Sequence, residues 1–315
     1  MNILDEEDII YEKAYAFLPS KAKLNITQIK IGSINKTYLI SPLDNYVSNP
    51  FILQRINKSI FDSTENLILN YILLERAISS AKLVAGSRTF TSFKIPKLLK
   101  TQSNNYVVPS REGDWRGFEY IRDTITYHIV DNQKIAFSAF SYLAEFHYLT
   151  KNIKENQLAN TIYNFHNTPS YLDQYMRELP IYIDTRGSSG FNKVKHLINF
   201  IENNKIEAYL LKEPIENNLL LNKTIHGDTK ISNFLFSKSN YNVSALIDLD
   251  TCTAAPILFD LADCVRSCCN PKGEDTLDIE GVYFDLELYE NCLLGYFSLP
   301  NTILSTSEIY YLPYS

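Results

Sequence analysis

Residues His226-Gly227-Asp228-Thr229-Lys230-Ile231-Ser232-Asn233, followed by Ile247-Asp248-Leu249-Asp250, decide the reading of this 315-residue chain. Phosphoryl transfer asks for a carboxylate near an acceptor hydroxyl, an amide and a carboxylate on a divalent metal ion, and positive charge near the transferring group. This stretch holds all four. Asp228 leads Asn233 by five positions, the interval that separates a general base from a second metal ligand in a known phosphoryl-transfer loop. Lys230 lies between them. Taken alone, Gly-Asp is an ordinary turn dipeptide and His226 reads equally well as a satisfied, partly buried histidine, so the weight falls on the constellation.

The segment between Asn233 and Asp248 explains how groups fifteen positions apart converge. Phe234-Leu235-Phe236 and Val243-Ser244-Ala245-Leu246-Ile247 are rich in aromatic and branched residues, and the polar run 237–242 between them reads as a turn. Asn233 opens the first strand of this hairpin and Asp248 closes the second, so an amide and a carboxylate meet at one edge and offer oxygen ligands suited to magnesium. Asp250 stays open between a metal contact, a cap and a partner for a basic group.

Outward from this core the chain reads as two lobes, 1–121 and 122–315, because its length exceeds what one hydrophobic core usually supports. The first lobe carries a predicted helix from Asp5 to Leu18 and strands at Ile26–Ile31, Lys36–Ile40 and Phe51–Ile56. A helix capped at Thr64 follows, and Ile95–Lys100, Tyr106–Pro109 and Arg116–Ile121 complete an antiparallel sheet. Beyond Asp131 the pattern turns helical, with Ile135, Phe137, Phe140, Leu143 and Phe146 on one long helix and Val194, Leu197, Ile198 and Ile201 on another. The fold class expected is α+β, an N-terminal antiparallel sheet lobe with a helix and a mainly helical C-terminal lobe.

A nucleotide would lie between these lobes. Ile31-Gly32-Ser33-Ile34-Asn35-Lys36 joins two strand candidates, and Gly32 and Asn35 would bring backbone and amide groups over its phosphates, although a single glycine here also fits an ordinary hairpin. Gln54-Arg55 occupies the strand on which a phosphate-pairing cation is sought. Alternation lets only one of the two face the cleft, and charge favours Arg55, with Glu75 or Glu65 as its helix partner. The base edge would meet backbone around Glu119, Tyr120 and Ile121, where the last strand enters the second lobe.

Composition narrows the class of partner. Apolar residues make up 45% of the chain, which excludes a disordered protein. With 30 basic and 36 acidic side chains the net charge is −6, and no Lys/Arg cluster gives the electrostatic footprint of nucleic-acid binding. No apolar run reaches the length of a bilayer span and the acidic start is unlike a signal peptide, so no membrane association and a cytoplasmic location are expected. The five cysteines are odd in number and lack paired C-x-x-C spacing, which argues against a disulfide framework or a zinc site.

Four blocks carry a resemblance: Ile34-Asn35-Lys36-Thr37-Tyr38 with Phe51-Ile52-Leu53-Gln54-Arg55-Ile56-Asn57, then Trp115-Arg116, then Phe165-His166-Asn167-Thr168-Pro169, then His226 to Asn233 continuing into Ile247 to Thr251. With them the chain resembles the aminoglycoside phosphotransferase and choline kinase superfamily, and within it the N-acetylhexosamine 1-kinases. It departs from that pattern at Ala254-Ala255-Pro256 and Ala262-Asp263, where relatives carry Pro-Gly and Gly-Asp, and relatives continue past the segment matching Leu312-Pro313-Tyr314.

The resemblance implies a bilobal, protein-kinase-like fold, ATP and Mg2+ as cofactors, and a hexosamine acceptor phosphorylated on its anomeric hydroxyl. Asp228 and Lys230 are then the catalytic residues and Asn233 and Asp248 the metal ligands. Trp115, Arg116, His166 and Asn167 have suitable chemistry for the sugar, although Trp115 reads equally as a core residue. Another acceptor on the same scaffold, such as choline, homoserine, an aminoglycoside or a different sugar, and a catalytically weak ligand-binding remnant stand as alternatives.

Overall fold

Enclosed and partly open positions alternate along Lys36–Pro42, the pleat of a strand with one face buried, and this alternation organises the first lobe. The architecture is that of a computed structural model, which describes residues 6–29, 34–43, 48–85, 90, 92–299 and 303–315. Gly32 lies outside the described residues. In chain order the lobe contains α1 (Glu6–Tyr15), β1 (Leu24–Ile29), β2 (Lys36–Pro42), β3 (Phe51–Arg55), α2 (Thr64–Ala85), β4 (Leu98–Leu99), β5 (Val107–Val108) and β6 (Trp115–Glu119). Among the described residues these strands form one antiparallel sheet in the order β1-β2-β3-β6-β4, with β5 also pairing β6.

The register separates the two faces of this sheet. Lys36, Arg55 and Trp115 lie side by side, and the next row is Thr37, Gln54 and Arg116. Because successive side chains point to opposite faces, the first row shares its face with Tyr38, Ile40, Leu53 and Phe51, which pack with Ile10 and Ala14 of α1 into a core of their own. The second row faces the other way, toward the cleft.

The second lobe begins with β7 (Thr124–Ile125) and α3 (Gln133–Thr150), whose first turn is capped by the Asn132 side chain. Ile135, Ala139, Phe140, Leu143 and Phe146 recur at helical spacing and are fully buried. Then come α4 (Thr168–Asn204), α5 (Lys212–Glu216), β8 (Asn222–Ile225), β9 (Phe234–Ser237), β10 (Val243–Leu246), β11 (Thr253–Pro256), α6 (Leu258–Cys268), α7 (Leu286–Tyr296) and α8 (Thr306–Tyr311). α4 is broken at Gly187 (φ 61°, ψ −163°), so the helix expected around Val194 to Ile201 is its second half. The strands β10-β9-β7 and β11-β8 form two small antiparallel ribbons.

The fold is therefore the bilobal, protein-kinase-like arrangement expected, with several strands shorter than their hydrophobic runs. All five cysteines are free and buried. The last helix packs on the lobe: Ser305 and Glu308 form a capping box, and buried Glu308 pairs with Lys223 at 2.6 Å. Among the described residues no helix is long and apolar enough to cross a membrane.

Candidate active site

The hairpin brings its two ends together. Phe234 pairs Leu246, and one step further the Ile247 amide donates to the Asn233 carbonyl at 2.9 Å. His226 fastens the preceding loop to the same place: its Nε2 donates to the Ile247 carbonyl (2.9 Å) while its Nδ1 accepts from the Asp228 amide (3.2 Å), partners that fit the tautomer with hydrogen on Nε2. Gly227 lets the chain pass between. Its φ is 84°, and a Cβ there would sit 2.6 Å from the Thr251 carbonyl oxygen, so both conformation and space require glycine.

Asp228 is held at this junction with one oxygen committed. Its Oδ2 accepts from Lys230 Nζ at 2.5 Å and from Asn233 Nδ2 at 3.0 Å, while the same Asn233 nitrogen donates to the Asp228 carbonyl at 2.7 Å. Oδ1 has no partner among the described residues and the side chain is 22% exposed, so it is free to accept a proton from a bound hydroxyl. Burial alone would lower the Lys230 ammonium, but its hydrogen bond with Asp228 and the nearby Asp228 and Asp248 charges lift it above the usual lysine range.

Asp248 occupies the left-handed region (φ 63°, ψ 55°), which turns the chain sharply after β10. Its carboxylate makes no hydrogen bond to a described residue and opens on the cleft. Crowding by surrounding protein and then the Asp250 and Asp228 charges push its pKa up to about 6. By accessible surface Asp248 is exposed, so the desolvation is that of a walled cleft floor rather than of a core.

The loop is held from behind by α6. Asp260, fully buried, accepts the His226 amide on Oδ2 (2.6 Å) and the Gly227 amide on Oδ1 (2.7 Å). Asp263 accepts the Thr229 amide (2.7 Å) and the Ser267 hydroxyl accepts the Ile231 amide (2.9 Å). Burial raises the Asp260 carboxyl, but the hydrogen bonds from His147 and from the His226 amide bring it below the ordinary aspartate value. Residues 260, 263 and 267 recur at helical spacing on one face of α6; that acidic and hydroxyl stripe is the signal that sequence reasoning passed over.

Between the lobes lies a cavity of about 460 Å³ lined by Asn35, Gln54, Arg116, Glu119, Tyr120 and Ile121 from the sheet side, with Lys230, Asn233, Asp248 and Asp250 opposite. Phe118, Ile52 and Leu235 add apolar walls. Three expectations are corrected here. Arg55 is turned away, pairing with Glu112 at 3.1 Å and lying 5.8 Å over the Trp115 ring, because its row faces α1. Trp115, on the same row, is 1% exposed and stacks on Tyr38; it belongs to the core of the first lobe and not to an acceptor wall. Glu75 accepts from the Leu98 amide (3.1 Å). Arg116 also leaves the acceptor set, since it lines the inter-lobe cavity and pairs with Asp250 at 2.5 Å.

His166 and Asn167 stay together on the other side of the loop. They line a cavity of about 790 Å³ with Phe165, Phe259, Asp263 and Arg266. His166, at φ 59°, donates from Nε2 to the Gly227 carbonyl at 2.6 Å, which ties this cavity to the residue preceding Asp228.

Comparisons with known proteins bear on the family and the fold. The model of the phosphotransferase enzyme family matches residues 25–290. The fold is similar to an aminoglycoside phosphotransferase from Alicyclobacillus acidocaldarius (TM-score 0.59, 18% identity, 94% of this chain and 82% of that one). It is also similar to a choline kinase from Cryptosporidium parvum (0.56, 12%, 98% and 85%) and to a Plasmodium vivax ethanolamine kinase (0.53, 14%, 92% and 72%).

Proposed function

The chain belongs to the phosphotransferase enzyme family, and on that premise we propose that this small-molecule kinase transfers the γ-phosphate of ATP to the anomeric hydroxyl of an N-acetylhexosamine. The observation that carries this reading is the placement of Asp228. Its Oδ2 is fixed by Lys230 and Asn233, which line the inter-lobe cavity, and its flanking residues touch the second cavity through His166 and Asp263. A base at that junction can serve a nucleotide on one side and an acceptor on the other.

The reaction follows from these contacts. The acceptor oxygen forms a bond to the γ-phosphorus as the bond to the β-phosphate oxygen breaks, and the hydroxyl proton passes to Asp228 Oδ1. Lys230 offsets charge on the transferring group. General-base assistance contributes typically ~10²–10⁴-fold, so positioning and electrostatics supply most of the rate.

Magnesium suits the residues present. Asp248 offers an unpaired carboxylate on the cleft, and Asn233, whose nitrogen is committed to Asp228, keeps its Oδ1 for a cation. Among the described residues no group of three His, Cys, Asp or Glu side chains forms a metal cage, and magnesium commonly takes one or two protein oxygens and completes its shell with phosphate and water. When bound, it neutralises charge on the phosphate oxygens.

The second cavity carries groups that suit a sugar. Phe165 and Phe259 supply an aromatic wall, while His166 and Asn167 supply planar hydrogen-bonding groups. Of the carboxylates lining this cavity, Asp263 is engaged by the Thr229 amide and by Arg266 at 2.7 Å and Glu216 lies 3.9 Å from Lys212, while Glu207 at the cavity wall keeps a cationic acceptor as the second reading. Incubation with ATP, magnesium and a panel of N-acetylhexosamines, other sugars, choline, homoserine and aminoglycosides tests the proposal. Sugar 1-phosphate as the main product supports it. Preferred turnover of a cationic acceptor replaces the substrate class, and no turnover of any acceptor points to the binding remnant.

A further inference from the structure

The cleft-facing row of the sheet puts Thr37, Gln54 and Arg116 side by side on β2, β3 and β6. Gln54, on the strand where a phosphate-pairing cation is sought, is uncharged. Arg116, 1% exposed, stands beside it. Gln54 Oε1 accepts from Arg116 Nε at 3.0 Å and Nη2 at 2.6 Å, and Gln54 Nε2 donates to the Thr37 hydroxyl at 3.2 Å.

From the second lobe Asp250, 4% exposed, accepts Arg116 Nη2 at 2.5 Å on Oδ2, which also accepts from Asn35 Nδ2 at 2.9 Å. Asn35 is itself fixed, because its Oδ1 accepts the Asn57 amide at 2.9 Å. The guanidinium rests 4.8 Å from the Phe118 ring centroid. One group is left over: Arg116 Nη1 is buried and has no hydrogen-bond partner among the described residues. A buried donor left unmade is costly, and this one belongs to a side chain that lines the inter-lobe cavity.

We propose that Arg116 is the phosphate-binding cation of this cavity, its Nη1 receiving an oxygen of the phosphates that a nucleoside triphosphate retains after transfer. The charge has moved from β3 to β6. Gln54 and Asp250 are the positioning residues that hold the guanidinium fork, and Asp250 serves as a counterion rather than a metal ligand. Since Arg116 and Asp250 come from different lobes, phosphate binding and lobe position are linked. This rests on the kinase reading above. Lys230, the other cation lining the cavity among the described residues, is committed to Asp228 at 2.5 Å and serves the transferred group.

Calorimetric titration with ADP and with adenosine, both with magnesium, tests the proposal on the wild type, Arg116→Met, Arg116→Lys and the Arg116→Met/Asp250→Asn double variant. ADP lacks the transferred phosphate, so Lys230 weighs little in it. Arg116→Met should weaken ADP binding roughly tenfold to a hundredfold, the range of one charge-assisted hydrogen bond, and leave adenosine affinity unchanged. Arg116→Lys, which keeps charge but not the fork, should fall between.

If the single Met variant does not fold, the double variant carries the comparison, because removing both buried charges avoids an uncompensated one. Equal losses for ADP and adenosine, or unchanged ADP affinity, overturn the proposal and leave the kinase reading standing. A wild type that binds no ADP overturns both.

Discussion

His147 Nε2 and Asp260 Oδ2 lie 2.9 Å apart in the core, both fully shielded, and the same Asp260 oxygen accepts the His226 amide that begins the loop carrying Asp228. The Tyr296 hydroxyl lies 2.9 Å from His147 Nδ1, so a chain of buried polar contacts runs from α7 through α3 and α6 to the loop. A site built this way takes its precision from behind.

Asp260→Ala should therefore cost at least about 3 kcal/mol of stability, since it leaves three buried donors without an acceptor at about 1–3 kcal/mol each, and should lower turnover as well by loosening the loop. Denaturant unfolding and steady-state kinetics read the two effects. Because the Asp260 carboxyl is held below its ordinary 3.8 in the folded chain, its contribution is present above that value and is lost as pH falls through the folded pKa. Wild-type stability should thus erode in strong acid more steeply than that of the variant.

The residues proposed to contact ligands were more legible than those that position them. Asp228, Lys230, Asn233 and Asp248 announce themselves because their spacing is local and a hairpin returns the chain to the same edge. Which of Gln54 and Arg55 faces the cleft depends on the pleat phase of β3, and a shift of one residue reverses it. Charge favoured Arg55, whereas the hydrophobic phase of Phe51 and Leu53, buried toward α1, settles it for Gln54. The pairing of Arg116 with Asp250 spans 134 positions and has no local signature. The role of α6 was hidden for a different reason, since carboxylates on a helix ordinarily mark a solvated face, and here the face is turned inward onto backbone amides.

Asp228→Asn should reduce turnover by roughly two to four orders of magnitude, the usual contribution of a general base, with ADP affinity nearly unchanged. The amide oxygen can still accept from Lys230 and Asn233, so the loop keeps its shape. Turnover close to the wild-type value would remove Asp228 from the base role.

Asp248→Asn separates the stability of the site from its chemistry. An acid whose carboxyl is lifted from 3.8 to about 6 binds its proton more tightly folded than unfolded, so stability declines as pH rises through that interval. The variant lacks this penalty, and asparagine tolerates the left-handed φ of 63°. Without nucleotide or metal it should melt above the wild type at pH 8, with the gap closing toward pH 4, while its magnesium-dependent ADP binding is weakened. A lower melting temperature than wild type at pH 8 would contradict the assignment of strain to this carboxylate.

His166→Asn probes the second cavity and its tie to the loop. His166 sits at φ 59°, a conformation that asparagine adopts readily and alanine does not, so backbone strain is kept out of the result. The substitution withdraws the ring that lies between Phe165 and Phe259, at centroid distances of 4.1 Å and 5.7 Å, and the donor to the Gly227 carbonyl. If His166 contacts the sugar, the acceptor KM should rise by about tenfold, as for one lost hydrogen bond, with ADP affinity unchanged and kcat reduced less than kcat/KM. If it acts only through Gly227, kcat should fall while the acceptor KM holds, and the residue would then belong with Asp260 among those that shape the loop.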